Sequence, residues 1–378
     1  MKMKLVFSSN VAWSIYNFRL DLLKSLQKDG CHIYTVAAKD KYVKKLTDQG
    51  FVFTPIRINN NGTNPLKDFL LLFQYLRIYK SINPDVICHN GIKPNIYGTI
   101  AAGLLRIPVV NNISGLGTLF IKRSIATKIA MIFYRFSQKF ASKVLFQNTF
   151  DLRFFIQQKI VKPRQVQLIH GSGVDTTLFK SIKSLKTNTP FTFLFVGRLL
   201  KDKGIIEFIE AAKHVKSYNS DVIFNVLGPI YTSNSTAINS KDLKRWMHED
   251  QLINYLGESE DVRVEMQNAD CLVLPSYREG LSKVLIEASS MSLPIITTNV
   301  PGCKDVVVDK VTGFLCRARD AEDLALKMQQ MLNLDDSKRH EMGQLARQRA
   351  IDIYDVKHII NTYKSVIYQS HNSRILQK

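Results

Sequence analysis

Short apolar runs alternate along the chain with amphipathic stretches, and the period of each decides the element it predicts. Lys4 to Ser8, Cys31 to Ala37, Phe51 to Ile58, Asp85 to Cys88, Ile107 to Ile113, Lys143 to Phe146 and Val166 to Ile169 are short, β-rich runs. Such runs read as buried strands. Tyr16 to Lys28, Lys67 to Ser81 and Arg123 to Phe140 instead carry apolar residues at helical intervals. Strands alternating with helices predict a doubly wound parallel sheet, whose ligands sit at the carboxyl ends of the strands. Lys180 to Thr189 is polar, rich in breakers and reads as a linker. The alternation then restarts, with strands expected at Phe191–Val196, Val222–Leu227, Leu252–Leu256, Cys271–Leu274, Ile295–Thr298 and Phe314–Cys316 and a helix at Ile205–Val215. The fold class is therefore α/β, with domains expected at 1–180 and 181–354 and a C-terminal helical segment at 355–378.

Composition narrows this picture. At 378 residues and 45% hydrophobic content the chain can fill two cores. Its apolar stretches, such as Tyr97 to Ile107 with Arg106 inside, fall well short of the roughly 18 to 20 residues a membrane span needs. The N-terminus has too short an apolar run for a signal-peptide core and reads as the first strand. Five cysteines without a Cys-x-x-Cys pair fit a reduced, cytoplasmic location. The net charge of +20 is uneven: residues 1–180 hold an excess of 18 positive charges and residues 181–378 only 2. No acidic residue lies between Asp85 and Asp151, whereas Lys93, Arg106, Lys122, Arg123, Lys128, Arg135, Lys139 and Lys143 do. Such a face suits nucleic acid, an anionic membrane or a phosphorylated acceptor.

Chemistry concentrates in the second half. Cys271 to Leu274, broken by Pro275 and Ser276, leads through Tyr277, Arg278, Glu279 and Gly280 into a helix expected to open at Leu281 and Ser282 and to carry Glu287. The open end of a helix offers backbone N–H groups and a positive dipole end to phosphate, and the two carboxylates can accept from sugar hydroxyls. Two glutamates eight apart also occur by chance on solvated helices. A basic loop, Gly197-Arg198 to Lys203-Gly204, follows another strand; Arg offers a planar fork to phosphate oxygens and Lys a compact charge. The loop Ser8 to Trp13 contains no glycine, so a Gly-x-Gly-x-x-Gly dinucleotide site is not expected in the first half. No Walker A pattern, His-Glu-x-x-His pair or Asp-x-Asp metal pair occurs.

The Glu279-x7-Glu287 block and the Gly197-Arg198-x4-Lys203-Gly204 loop, about 80 residues apart, resemble those of glycosyltransferase family 4, the retaining sugar-nucleotide transferases of the GT-B fold. Gly173-Val174-Asp175 with Phe179 resembles that family's interdomain segment, and Ala269-Asp270, Gly302 and Thr312-Gly313-Phe314 also match. The resemblance implies two Rossmann-like domains facing across a cleft, with the last helix, Ile359 to Tyr368, crossing back onto the first. It implies that Arg198, Lys203 and the N–H groups at Gly280, Leu281 and Ser282 grip the donor diphosphate. Glu279 is then expected at the transferred sugar and Glu287 at the ribose hydroxyls. Fixed cations and helix-end donors stabilise the leaving diphosphate, so no metal and no cofactor is expected. The departing phosphate takes the acceptor's proton; a double displacement through Glu279 is the alternative.

One position departs from the pattern: many members carry a histidine after the fifth strand, where Ser114 stands here. His89 and His170 read as structural or loop residues. Asn10, Trp13, Arg19, Lys93 and Asn95, together with Ser114, lie in stretches that resemble bacterial surface-polysaccharide and lipid-linked oligosaccharide members, in which the first domain faces the acceptor. Trp13 and Phe18 equally suit the cap of a core. The expected function is transfer of a sugar, an N-acetylated hexose, from a UDP-sugar donor to a polyprenyl-diphosphate-linked saccharide. Alternatives are a GT-B sugar-nucleotide epimerase and a basic nucleic-acid-binding protein. The second lacks a recognisable module or exposed stacking aromatics, and no nucleic-acid partner is expected. Thr118 to Phe146 reads either as a core helix with a basic back or as a basic amphipathic helix lying on an anionic membrane surface, which would make the protein peripheral on the cytoplasmic face.

Overall fold

The computed structural model describes residues 2–58, 65–115, 125–181, 190–230, 234 and 236–375. They fall into two compact units, Met1–Ser172 with Val356–Lys378, and Gly173–Asp355. The first unit contains β1 (Lys4–Val11), α1 (Ala12–Lys28), β2 (His32–Ala38), α2 (Val43–Thr47), β3 (Val52–Pro55), α3 (Pro65–Ile82) and β4 (Val86–Asn90). A π turn at Pro94–Gly98 leads into α4 (Thr99–Leu104). Then come β5 (Val109–Ile113), α5 (Ile125–Ser137), β6 (Lys143–Phe146), α6 (Thr149–Gln157) and β7 (Val166–Leu168). The seven strands form one sheet in the order β3-β2-β1-β4-β5-β6-β7, each pair parallel.

The second unit runs through β8 (Thr192–Val196), α7 (Ile205–Tyr218), β9 (Ile223–Leu227), α8 (Ser240–Lys244), β10 (Asn254–Tyr255), α9 (Arg263–Asn268) and β11 (Cys271–Leu274). It continues with α10 (Lys283–Ser290), β12 (Ile295–Thr298), β13 (Gly313–Cys316), α11 (Ala321–Leu332) and α12 (Asp336–Arg349). Its sheet is also parallel, in the order β10-β9-β8-β11-β12-β13. The central strands β8, β11 and β12 are buried throughout, which is why they read as unbroken apolar runs. α7 buries Ile205, Phe208, Ile209, Ala212 and Val215, a helical stripe against this sheet. In that core the ring of Phe208 meets those of Phe195 and Phe224, and Phe224 stacks on Phe193; each fully buried side chain of this kind is worth about 1.5–3 kcal/mol. α11 and α12 begin at Asp320 and Asp335, whose carboxylates accept the Asp323 and Lys338 N–H groups at 2.9 and 2.7 Å. Such caps are worth about 1 kcal/mol each.

The chain then returns to the first unit as α13 (Val356–Ile375). Ile359, Tyr363, Val366 and Ile367 pack into one core cluster with Leu22, Leu23 and Leu26 of α1. Lys364 pairs with Asp29 at 2.6 Å, and the Tyr368 hydroxyl donates to the same carboxylate at 2.9 Å.

Three local expectations change. The loop expected at Ser8–Trp13 is absent: β1 runs on to Val11 through a register shift after Ser8, and α1 starts at Ala12. The first unit ends at Ser172, not 180, because the following segment is tied into the second. There Val174 N–H donates to Tyr354 O at 2.9 Å, and Arg347 donates to the carbonyls of Thr176 and Phe179 at 3.2 and 3.1 Å. The stretches Phe51–Ile58 and Leu252–Leu256 form only Val52–Pro55 and Asn254–Tyr255. Both are edge strands with one neighbour. Ile56 N–H still donates to Ala37 O of β2 at 3.1 Å, whereas Leu252 N–H donates to Trp246 O; both residues, with Ile253, are buried. The linker residues 182–189, and Thr118 to Ser124 of the basic segment, lie outside the described residues.

Candidate active site

The two stretches singled out for donor chemistry meet at the carboxyl end of the second sheet. β8 and β11 are neighbours, so the loops that follow them leave the sheet side by side. Lys201–Lys203 form one 3-10 turn closed by Gly204 at φ 77°, where α7 begins. A Cβ at Gly204 would stand 2.1 Å from Pro275 O, so glycine is what lets the two loops touch. Tyr277 N–H donates to Asp202 O at 2.9 Å, and Ser276 Oγ lies 3.2 Å from the same oxygen.

This approach joins Lys203 to Glu279 in an ion pair, Nζ donating to Oε1. Ser276 Oγ lies 2.8 Å from that same Oε1, so its single proton serves either the carboxylate or Asp202 O. Glu279 is therefore anchored through one oxygen. The sequence reading gave Lys203 to phosphate and Glu279 to sugar; the structure adds that each holds the other. Arg198, just past β8, is exposed.

Gly302 sits at φ 81° with its Cα against Glu279 O, where a Cβ would come within 2.4 Å. Glu279 N–H donates to Pro301 O and Ser282 N–H to Gly302 O, both at 3.1 Å. The expectation that the Ser282 N–H faces an anion is thereby corrected: that donor is used within the protein. Ser282 is the N-cap of α10 and makes no side-chain capping bond. The N–H groups left without helical partners at this end belong to the first turn of α10, beginning at Lys283. Gly280 and Leu281 form the turn between Glu279 and that end, with Leu281 buried.

Glu287 lies in α10, 8% exposed. Burial pushes its carboxyl up to about 7; Lys283, with Nζ 3.6 Å from Oε1, acts in the opposite direction. Desolvation of the charged form wins over one partly solvated cation. A carboxyl held near neutrality accepts a hydrogen bond from a ligand hydroxyl most strongly once ionised.

In the first unit the six residues assigned to the acceptor divide. Asn10, at the end of β1, keeps a buried Oδ1 without a hydrogen bond. Trp13 is exposed, edge-on to Phe18 at 5.3 Å, and its backbone N–H donates to Asp40 Oδ2 at 2.8 Å. Lys93 pairs with Asp68 at 2.6 Å, and the Tyr97 hydroxyl donates to the other Asp68 oxygen at 3.0 Å. Ser114 is exposed just beyond β5. Arg19 and Asn95 are interior. Arg19 is 6% exposed, its guanidinium 5.1 Å from the Tyr363 ring centre of α13. With Ser8, Ser9, Asn90 and Tyr363 it lines a cavity of about 10 Å³, large enough for one water. Asn95 donates to Asn112 O at 2.9 Å and stitches the π turn to β5. His89 is buried between the Tyr79 hydroxyl at 2.7 Å and Asn111 Oδ1 at 2.9 Å, and burial drives its pKa down to about 4. It is a neutral structural histidine. Asp68 escaped sequence reasoning, and Tyr97, Ser276 and Tyr277, though they lie in or beside stretches it singled out, were given no role because their side-chain partners lie far away in the sequence.

A family model described as "Glycosyl transferase 4-like" matches residues 4–148, and one described as "Glycosyl transferases group 1" matches residues 178–349. The chain is 26% identical to N,N'-diacetylbacillosaminyl-diphospho-undecaprenol alpha-1,3-N-acetylgalactosaminyltransferase of Campylobacter jejuni, over 96% of this chain and 97% of the relative. It is also 26% identical to UDP-Gal:alpha-D-GlcNAc-diphosphoundecaprenol alpha-1,3-galactosyltransferase of Escherichia coli, over 80% of this chain and 79% of the relative. In fold it is similar to Anabaena Alr3699/HepE, solved with UDP and glucose, at a TM-score of 0.80, with 19% identity, 97% of this chain and 99% of the other covered. The chain belongs to the glycosyltransferases of the GT-B fold, its first unit a glycosyl transferase 4-like domain and its second a group 1 domain.

Proposed function

We propose that the chain is a retaining transferase that moves a sugar, an N-acetylated hexose in the leading reading, from a UDP-sugar to a polyprenyl-diphosphate-linked saccharide. The observation that carries this is the Lys203–Glu279 pair beside the open end of α10, with Glu287 buried in the same helix. The Campylobacter and E. coli relatives, named as α-1,3-transferases acting on diphospho-undecaprenol saccharides, support the donor and acceptor classes. Cleavage of the bond between the sugar's C1 and the diphosphate leaves negative charge on the departing UDP. Arg198, Lys203 and the first-turn N–H groups of α10 stabilise that charge from fixed positions. The acceptor hydroxyl attacks C1 from the face the diphosphate leaves, and its proton passes to the departing phosphate, so no protein nucleophile is required. Glu279, with one oxygen anchored, accepts from the sugar's hydroxyls through the other, and Glu287 accepts from the ribose. Neither the epimerase nor the nucleic-acid reading is supported by any relative reported above.

Assaying UDP release over a panel of UDP-sugars with polyprenyl-diphosphate-linked acceptors tests this. One donor should give acceptor-dependent release that survives EDTA. Glu279→Ala should lower turnover about 10- to 150-fold, the value of one charge-assisted hydrogen bond, while leaving UDP affinity nearly unchanged. No transfer with any pair, or transfer restored only by added Mn²⁺, would show the reading to be wrong.

We also propose that the enzyme works as a peripheral protein on the cytoplasmic face of a membrane. No helix among the described residues is long and apolar enough to cross one. α5 exposes Ile129, Ile132 at 62%, Phe133 and Phe136, followed by Phe140, with Lys128, Arg135 and Lys139 exposed among them. α3 adds Phe69 at 58%, Leu70 and Phe73. Tyr97 bridges the two, its hydroxyl on Asp68 of α3 and its ring 6.1 Å from that of Phe133. Apolar side chains interleaved with cations suit an anionic bilayer, worth roughly 1 kcal/mol per basic residue near the surface. The described cysteines are all free and buried, which supports a reducing compartment.

A further inference from the structure

Three strand ends of the second unit converge on Tyr277, a residue without a part in the chemistry above. It stands in the loop after β11, two residues before Glu279. Its hydroxyl donates to Glu207 Oε1 at 2.6 Å, and its N–H holds Asp202 O at 2.9 Å. Arg319, from the segment after β13, places its guanidinium 4.7 Å from the Tyr277 ring centre. Glu207 is in the first turn of α7 and buried, where the positive end of the helix favours a carboxylate. Its second oxygen is buried without a hydrogen bond, so Tyr277 is what satisfies this group among the described residues. Arg319 has φ 61°, a conformation a non-glycine residue keeps only where its surroundings over-determine it.

We propose that Tyr277 is a positioning residue: with Glu207 and Arg319 it sets the angle of the loop at 275–279 and so holds Glu279 against Lys203 in the geometry transfer requires. This rests on the donor-site reading given above. The same two segments are joined twice. Lys203 and Glu207 lie one helical turn apart around the start of α7, while Tyr277 and Glu279 lie two residues apart in the facing loop. Lys203–Glu279 is the pair that meets the donor, and Glu207–Tyr277 is the pair behind it. A phenol on a buried carboxylate at 2.6 Å is a charge-assisted bond, stronger and better defined in geometry than a neutral one. The hydroxyl's proton is committed to Glu207, so Tyr277 acts through Glu279 and not on the substrate.

Tyr277→Phe keeps the ring beneath Arg319 and removes only the hydroxyl, and Glu207→Gln keeps an oxygen to accept from the phenol. The full chain and these two variants, together with their double, would be compared for UDP affinity by calorimetry, for kcat and KM, and for melting temperature. Tyr277→Phe should lower kcat about 10-fold, as loss of one hydrogen bond to a charged group does, with the UDP Kd within about 2-fold of the parent. Glu207→Gln should retain more of kcat than Tyr277→Phe, and the double variant should fall no further than the worse single one. A merely structural tyrosine would lower the melting temperature and leave kcat of the folded protein alone. Parental kcat in folded Tyr277→Phe, additive losses in the double, or a loss confined to UDP affinity would each overturn the proposal. Should Tyr277→Phe not fold, the comparison of Glu207→Gln with Glu207→Ala decides, with equal kcat in both overturning it. A parent that binds no UDP overturns the donor-site reading and this inference with it; a parent that transfers sugar as well as Tyr277→Phe does overturns this inference alone.

Discussion

Glu287 shows how much one residue's surroundings decide. Its type and spacing were legible in the sequence, but its burial was not, and burial is what raises its pKa to about 7 from an ordinary value of 4.5. An acid whose folded pKa is raised binds its proton more tightly when folded. The stability this brings is fully present below pH 4.5 and is lost as pH rises through about 7. Glu287→Gln, which stays neutral, should therefore gain on the parent in thermal stability between pH 5 and pH 8, by up to about 3 kcal/mol. On the proposed role of Glu287 at the ribose, an ionised carboxylate accepts better than a neutral one, so UDP affinity of the parent relative to the variant should rise about 10-fold between pH 6 and pH 8. Melts and calorimetry at the two ends of each range check this, and parallel pH profiles for parent and variant would refute it. Arg19 and Asn95 teach the converse. Both carry polar groups suited to a ligand, yet one lies beneath Tyr363 and the other is bonded to β5. A resemblance of their stretches to those of lipid-linked oligosaccharide members placed them on the acceptor side, and neither position is marked as interior by its own type.

At the scale of elements, periodicity located the central strands well: Lys143–Phe146, Cys271–Leu274 and Ile295–Thr298 begin and end where the apolar runs do. It failed at the sheet edges and at β5, where Pro108 has no N–H to give and pairing starts at Val109. It also missed the π turn at Pro94–Gly98, which carries no signal distinguishing it from the helix that follows. The contact between the loop after β8 and the loop after β11 depends on a glycine whose need the sequence did not reveal. Gly204 and Gly257 share nearly the same left-handed backbone, φ 77° and 76°, but a Cβ at Gly257 would meet nothing within 4 Å. Gly257→Ala should cost only the backbone penalty of about 1–2 kcal/mol. Gly204→Ala should cost clearly more in urea unfolding and should also weaken UDP binding, because the loops must part to admit the methyl group. Equal losses in the two variants would mean that the close approach to Pro275 is unimportant.

At the scale of the molecule, the uneven charge of the chain acquires a place. The basic excess of residues 1–180 meets exposed apolar side chains on α3 and α5, a juxtaposition that belongs to neither helix alone. The protein should co-sediment with anionic vesicles at low salt and largely release at about 0.5 M NaCl, where the screening length is only a few ångströms. Lys128, Arg135 and Lys139 changed together to Glu should reduce sedimentation, and Phe69→Ser with Phe73→Ser should reduce it independently. Sedimentation that ignores both sets of changes would leave these helices as plain solvent-facing surface. Two α/β halves were determined by the sequence alone, which also marked Arg198, Lys203, Glu279 and Glu287, beside the carboxyl ends of the strands, as the candidates for donor chemistry. Periods of 2 and 3.6 and the offset from a strand's end to its loop are local properties, and each can be read within a short window. The ion pair between Lys203 and Glu279, 76 residues apart, the bond from Tyr277 to Glu207 and the docking of α13 on α1 were decided only by the tertiary structure. Which strands become neighbours is a choice among global packings, and no local window contains the energies that make it.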